Sequence, residues 1–145
     1  MNMPPWLWYV FLAAISGGLS VVLAKLGLRE VPEYLALVVR TAVLFSLTAI
    51  IAFSSGQLKN IVYLNKQSIL ILVATGACTS AYWIFYYKAL QLTSAHQVAA
   101  LDKAGIIVTV LLSVFILNES ISIKNVFGIF LILVGCLFIV YDHKH

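Results

Sequence analysis

Residues 94–117 read SAHQVAALDKAGIIVTVLLSVFIL, and Asn118-Glu119-Ser120 follows. Apart from His96 and Gln97 near its start, Asp102, Lys103 and a few small polar side chains, the stretch is apolar. It is long enough for the roughly 20 residues that a helix needs to cross a bilayer. Asp102 and Lys103 fall about eight residues in, roughly 12 Å along the axis of a helix. Ionised groups at that depth in hydrocarbon cost several kcal/mol unless paired or hydrated. This one stretch therefore calls for a membrane and for a reason to hold charge inside it.

Four more apolar runs flank it. They extend from Trp6 to about Ala24, from Tyr34 to about Phe53, from Ser68 to about Tyr87 and from about Asn125 to Tyr141. Pro32 suits a helix start, and Ser54-Ser55-Gly56 closes the second run. Aromatic rings gather near run edges, among them Trp6, Trp8, Tyr34, Tyr63 and Tyr141, as rings with one wet and one apolar end do at membrane interfaces. Connectors of about 6 to 14 residues leave no room for a soluble domain. Hydrophobic residues make up 63% of the 145 and charged residues 10%, against about 25% charged in soluble domains. A water-soluble fold of this size cannot bury so much apolar surface. The expected fold class is an all-α integral membrane protein of five transmembrane helices, one domain over residues 1–145, multi-pass in a bacterial or archaeal inner (cell) membrane. The first run has no basic lead and no convincing cleavage site, so it is expected to be a retained helix and not a signal peptide.

The net charge of +4 is scattered singly and makes no basic patch, so no nucleic-acid partner is expected. Cys78 and Cys136 both lie in apolar runs and are expected to act as small hydrophobes. There is no disulfide framework or zinc spacing. No nucleophile–base set points to an enzyme, and no metal or cofactor is expected. Charge does inform orientation. With the N-terminal side called A, Lys59, Lys66 and Lys124 fall on side A, and Lys25, Arg29, Lys88 and Lys144 fall on side B. Three against four is almost no bias, and a bias in basic residues is what fixes orientation. Insertion both ways up is therefore expected.

The charges within the spans are Lys25, Arg40, Lys88, Asp102 and Lys103, all in the side B half. Lys25 and Lys88 sit at helix ends and can snorkel to the interface. Neighbouring residues on a helix point about 100° apart, so Asp102 and Lys103 are not expected to neutralise each other. Asp102 is expected to pair with Arg40, Lys25 or a partner chain, either as a buried ion pair fixing helix register or as part of a substrate or proton site. Asp102, Gly105, Thr109 and Ser113 form a polar or small stripe, which in a spanning helix usually faces protein or water. The third helix carries small residues and then Tyr82, Trp83 and Tyr86, rings able to line a pocket. His96 is expected at the interface. Gly128 and Gly135 lie two turns apart on a fifth helix without ionisable residues between Asn125 and Tyr141, a face suited to close helix contact. The candidate substrate or proton site is thus Asp102, Lys103, Arg40, Lys25, Trp83, Tyr86, Tyr82 and Thr109. The candidate dimer contact is Gly128 with Gly135.

The order of these features resembles one EamA-type five-helix unit of the drug/metabolite transporter superfamily. The elements that carry the resemblance are Ala24-Lys25-Leu26-Gly27-Leu28, Arg40, and the Trp83 to Leu90 stretch WIFYYKAL. They continue with Val98-Ala99-Ala100-Leu101-Asp102-Lys103, Leu117-Asn118-Glu119-Ser120-Ile121, and Gly128 with Gly135. Most members resemble two such units fused as an inverted repeat of ten helices. A single unit is accordingly expected to work as half of that architecture, two copies pairing antiparallel through their last helices. The first helix lacks the glutamate of the small multidrug exporters, which speaks against their cation-export mechanism. Alternating access with a site near the midplane is expected. Lys25, Arg40 and Lys103 outnumber Asp102, which favours an anionic or zwitterionic small-molecule substrate, with protons as a candidate coupling ion. The alternatives are a non-transporting accessory or assembly subunit and a flippase for lipid-linked substrates.

Overall fold

The computed structural model describes residues 4–141. The tail Asp142 to His145, with Lys144 of the charge count, lies outside the described residues. The helices are α1 (Pro5–Gly27), α2 (Glu33–Ser54), α3 (Lys66–Leu92), α4 (Ala95–Asp102), α5 (Gly105–Leu117) and α6 (Ile123–Tyr141), with a 3₁₀ segment at Gln57–Tyr63 between α2 and α3. No strand occurs among the described residues. With α4 and α5 taken as one span, five segments are long and apolar enough to cross a membrane. This is the expected fold class, a multi-pass membrane protein.

Several helices outrun the apolar stretches that predict them. α3 has 27 residues, about 40 Å of helix against a hydrocarbon core of about 30 Å. Its polar ends at Lys66-Gln67 and Lys88 to Gln91 continue the helix into the interface, since lysine and glutamine are good helix formers and water there solvates their heads. Apolar side chains such as Val38, Phe45, Leu70 and Phe115 stay exposed along the helices, as a lipid solvent allows.

The chain divides into two units, residues 23–92 and residues 4–22 with 93–141. In the first, α2 packs along α3 and the 3₁₀ segment folds against α2. Its buried residues are Leu28, Tyr86, Tyr87 and Leu90. In the second, α4 packs on α6, with Gln97, Val98, Ala100 and Cys136 buried. The Cys136 thiol donates to the Ala100 carbonyl at 2.9 Å, so this cysteine is a hydrogen-bond donor as well as a hydrophobe.

The expectation of one continuous helix over residues 94–117 needs correction. Lys103 (φ −64, ψ −18) and Ala104 (φ −62, ψ −21) have 3₁₀ dihedrals. The N–H groups of Lys103, Ala104, Ile106 and Ile107 each reach back three residues, to Ala100, Leu101, Lys103 and Ala104, at 2.9–3.1 Å. Two features favour the tightening. Gly105 is a poor helix former, and the Ala100 carbonyl accepts from the Cys136 thiol as well as from the Lys103 N–H. The break keeps its backbone bonded, as hydrocarbon demands.

α5 ends at Asn118, whose backbone is left-handed (φ 54, ψ 33), with the Glu119 N–H donating to the Ser113 carbonyl at 3.2 Å. Asparagine is one of the few side-chain-bearing residues that adopt this conformation readily. Asn118→Gly is expected to keep thermal stability in detergent at or above that of the natural protein. Asn118→Val is expected to lower it by roughly 1–2 kcal/mol; equal melting of the two variants would show that this cap does not matter.

Candidate functional site

The site residues of the unit 23–92 rest on the helical repeat of α3. Tyr82 and Tyr86, and likewise Trp83 and Tyr87, are four residues apart and so share a face. Ring centroids lie 5.1 Å apart for Tyr82 and Trp83, 5.5 Å for Tyr82 and Tyr86, 5.4 Å for Trp83 and Tyr86 and 5.9 Å for Trp83 and Tyr87. The Trp83 contacts are edge-on, at 70–88°, the geometry that ring quadrupoles prefer. The result is a continuous aromatic platform near the C-terminal end of α3.

Arg40 approaches this platform from α2. It stands seven residues after Glu33, about 10 Å along the axis, so it is within the span, and it is half-buried. Its guanidinium carbon lies 3.4 Å from the Trp83 ring centroid and 6.0 Å from that of Tyr87. A desolvated cation–π contact contributes about 2 kcal/mol, comparable with the ~3 kcal/mol insertion cost of arginine at a helix centre. A guanidinium carries its five N–H donors in its own plane, and a cation–π contact is not a hydrogen bond that consumes them. Among the described residues of its own unit, no carboxylate forms an ion pair with Arg40. The platform therefore holds a positive charge without neutralising it.

The Lys25 ammonium donates to the main-chain carbonyl of Leu90, in the last turn of α3. The final four carbonyls of a helix lack intrahelical donors, and the helix dipole favours a cation there. Lys25 thus caps α3, where the sequence suggested snorkelling to water. Lys88, which is exposed, places its ammonium 5.4 Å from the Tyr34 ring centroid.

In the other unit, Asp102 and Lys103 lie 3.6 Å apart as an ion pair, which corrects the expectation that chain neighbours would not meet. The long lysyl stem curves back at the tightened turn between α4 and α5, and Lys103 stays 67% exposed while Asp102 is 25% exposed. Thr109 donates back to the Gly105 carbonyl at 3.2 Å, and Ser113 to that of Val110 at 3.1 Å. The hydroxyls of the expected polar stripe are thus satisfied within α5, a common arrangement for Ser and Thr in helices. Exposed His96 lies 3.4 Å from the Ser94 hydroxyl. On α6, a methyl group added at Gly128 or Gly135 would meet no atom within 4 Å, so neither glycine is needed for packing inside the chain.

Sequence reading missed three participants. Tyr87 is the second ring beside Arg40, and its spacing of four from Trp83 was the available signal. Gln97 is a buried amide whose oxygen accepts from the Thr93 and Ser94 hydroxyls. The Leu90 carbonyl has no side-chain signature at all.

Residues 4–141, which include every element of this arrangement, match the model of the EamA-like transporter family. The chain belongs to that family. An uncharacterized transporter in the cobO 3′ region from a Sinorhizobium species is 31% identical over 132 residues, covering 91% of this chain and 94% of the relative. That relative is thus about as long as this chain. No solved structure matches this EamA-like chain.

Proposed function

We propose that this membrane transporter carries a small organic anion or zwitterion by alternating access, as an antiparallel homodimer. The observation that carries the substrate class is Arg40, held on Trp83 inside a span with no ion pair in its own unit. A guanidinium recognises carboxylate or phosphate through two parallel N–H···O bonds, and among the described residues of its unit no carboxylate pairs with this one. Exposed Tyr82 and half-buried Trp83 offer ring area to the organic body of the substrate, and buried Tyr86 supports both rings by contact. Lys25 and Lys103 reinforce the positive balance read from the sequence.

Alternating access draws on the break between α4 and α5. Spans interrupted near ionisable residues are where secondary transporters place their sites, and a 3₁₀ turn inside a helix is a common point of bending. The dimer draws on the nearly even distribution of lysine and arginine between the two sides, on the unit length shared with the relative, and on the open glycine face of α6 at Gly128 and Gly135. Small residues there let two backbones approach closely.

Purified protein screened by thermal shift against organic anions, zwitterions, cations and lipid phosphates is expected to be stabilised by carboxylates or phosphates. Arg40→Gln should weaken that binding about 10- to 100-fold, the equivalent of a charge-assisted hydrogen bond of roughly 1.5–3 kcal/mol, and Arg40→Lys should fall between because it lacks the fork. Stabilisation by organic cations alone would overturn the substrate class. For the dimer, reporter fusions at His145 are expected on both sides of the membrane, and their appearance on one side only would exclude antiparallel pairs.

A further inference from the structure

The α2–α3 pair carries a second feature, separate from the Arg40 platform. A furrow of about 500 Å³ runs between the two helices, lined by Tyr34, Leu37, Val38, Thr41 and Phe45 of α2 and by Ile84 of α3. Its walls are almost wholly apolar, and Tyr34, Val38 and Phe45 remain exposed, so it is a trough on the surface and not an enclosed cavity. From Tyr34 to Phe45 the helix advances eleven residues, about 16 Å. That is close to half of the ~30 Å hydrocarbon core, the depth of one leaflet.

The interfacial end of the trough is charged. Tyr34 is the second residue of α2, and Lys88 holds its ammonium 5.4 Å from that ring. Ile84, the α3 wall of the trough, lies one turn before Lys88. Lys88 forms no ion pair among the described residues, and Glu33 is close enough to act on it electrostatically without pairing. A cation at the headgroup level above a leaflet-deep apolar trough matches one kind of molecule. A transported solute must be released to water and suits an enclosed site, whereas a lipid stays in the membrane and suits an open furrow.

We propose that the α2–α3 trough is a binding site for an anionic phospholipid, with the phosphate on Lys88 beside Tyr34 and one acyl chain running inward along α2 to Phe45. This site goes beyond the transport reading and does not depend on it. The source of the negative charge is a lipid headgroup; free phosphate lacks the chain that the trough holds. Basic side chains at the membrane surface each contribute about 1 kcal/mol to anionic-lipid attraction, which is about fivefold in affinity.

The test is native mass spectrometry of delipidated full-length protein titrated with dioleoyl phosphatidylglycerol and with dioleoyl phosphatidylcholine. Phosphatidylglycerol is expected to bind about fivefold tighter. Lys88→Gln should erase that preference, Lys88→Arg should retain it, and Thr41→Trp, which fills the trough, should weaken both lipids. Arg40→Gln should leave the preference intact, so that failure of the anion-transport reading and failure of the lipid site are read separately. Equal binding of the two lipids to the natural protein, or an unchanged preference in Lys88→Gln, would overturn the proposal. So would glycerol phosphate binding as tightly as the lipid. A Thr41→Trp protein that binds lipid normally but loses its dimer would overturn it too, by showing that a second copy of the chain fills the trough.

Discussion

Hydrocarbon offers a peptide group nothing to bond to, and that constraint shapes every part of this chain. Each unsatisfied N–H or C=O in lipid costs several kcal/mol, so the runs between the short connectors close their bonds internally as helices. The same constraint governs the irregular places. At the break between α4 and α5 the N–H groups shift to carbonyls three residues back, and the Cys136 thiol adds a donor at Ala100. At the C-terminal end of α3, where a carbonyl would go without a partner, Lys25 supplies one at Leu90. At both of these places another donor is at hand.

The membrane is equally strict about charge. In the unit 23–92, Arg40 lies on Trp83, Lys88 lies over Tyr34, and Lys25 meets a main-chain carbonyl. The difference from an ion pair matters for the proposed function. A carboxylate would neutralise the charge and occupy the donors. A ring face stabilises a cation while leaving its net charge in place, and the anion site proposed at Arg40 draws on that. For Arg40 the stabilisation by the ring, about 2 kcal/mol, is of the same order as the insertion cost, ~3 kcal/mol. The arginine can therefore be held in the span before any substrate arrives.

Much of the fold was legible in the sequence because bilayer thickness converts directly into run length. All five spans can be read from hydropathy, as can the presence of Arg40, Asp102 and Lys103 within them. The break at Lys103-Ala104 was legible only as far as Gly105 hints at it. Neither residue is a helix breaker, and the tightening involves a thiol on α6 that is 36 residues away in the chain. The partners of the charges were only partly legible. Helical spacing put Trp83 and Tyr86 with Tyr82, and extended by one more step it reaches Tyr87. Yet no periodicity says that Arg40 meets a ring, or that Lys25 meets the Leu90 carbonyl, because those contacts depend on how α2 and the end of α1 lie against α3. The Asp102–Lys103 pair escaped for a different reason. The 100° rule describes side-chain roots, and a flexible lysine can curve back where the turn tightens.

The central claim is that the guanidinium on Trp83 is an anion site that moves its ligand across the bilayer. Charge displacement in proteoliposomes adsorbed on a capacitive solid support reads this directly. On addition of an organic anion that binds the purified protein, the natural protein should give a transient of negative charge moving with the substrate, and Arg40→Gln with Trp83 intact should give none. Equal transients from the two proteins, or transients with organic cations alone, would contradict the account.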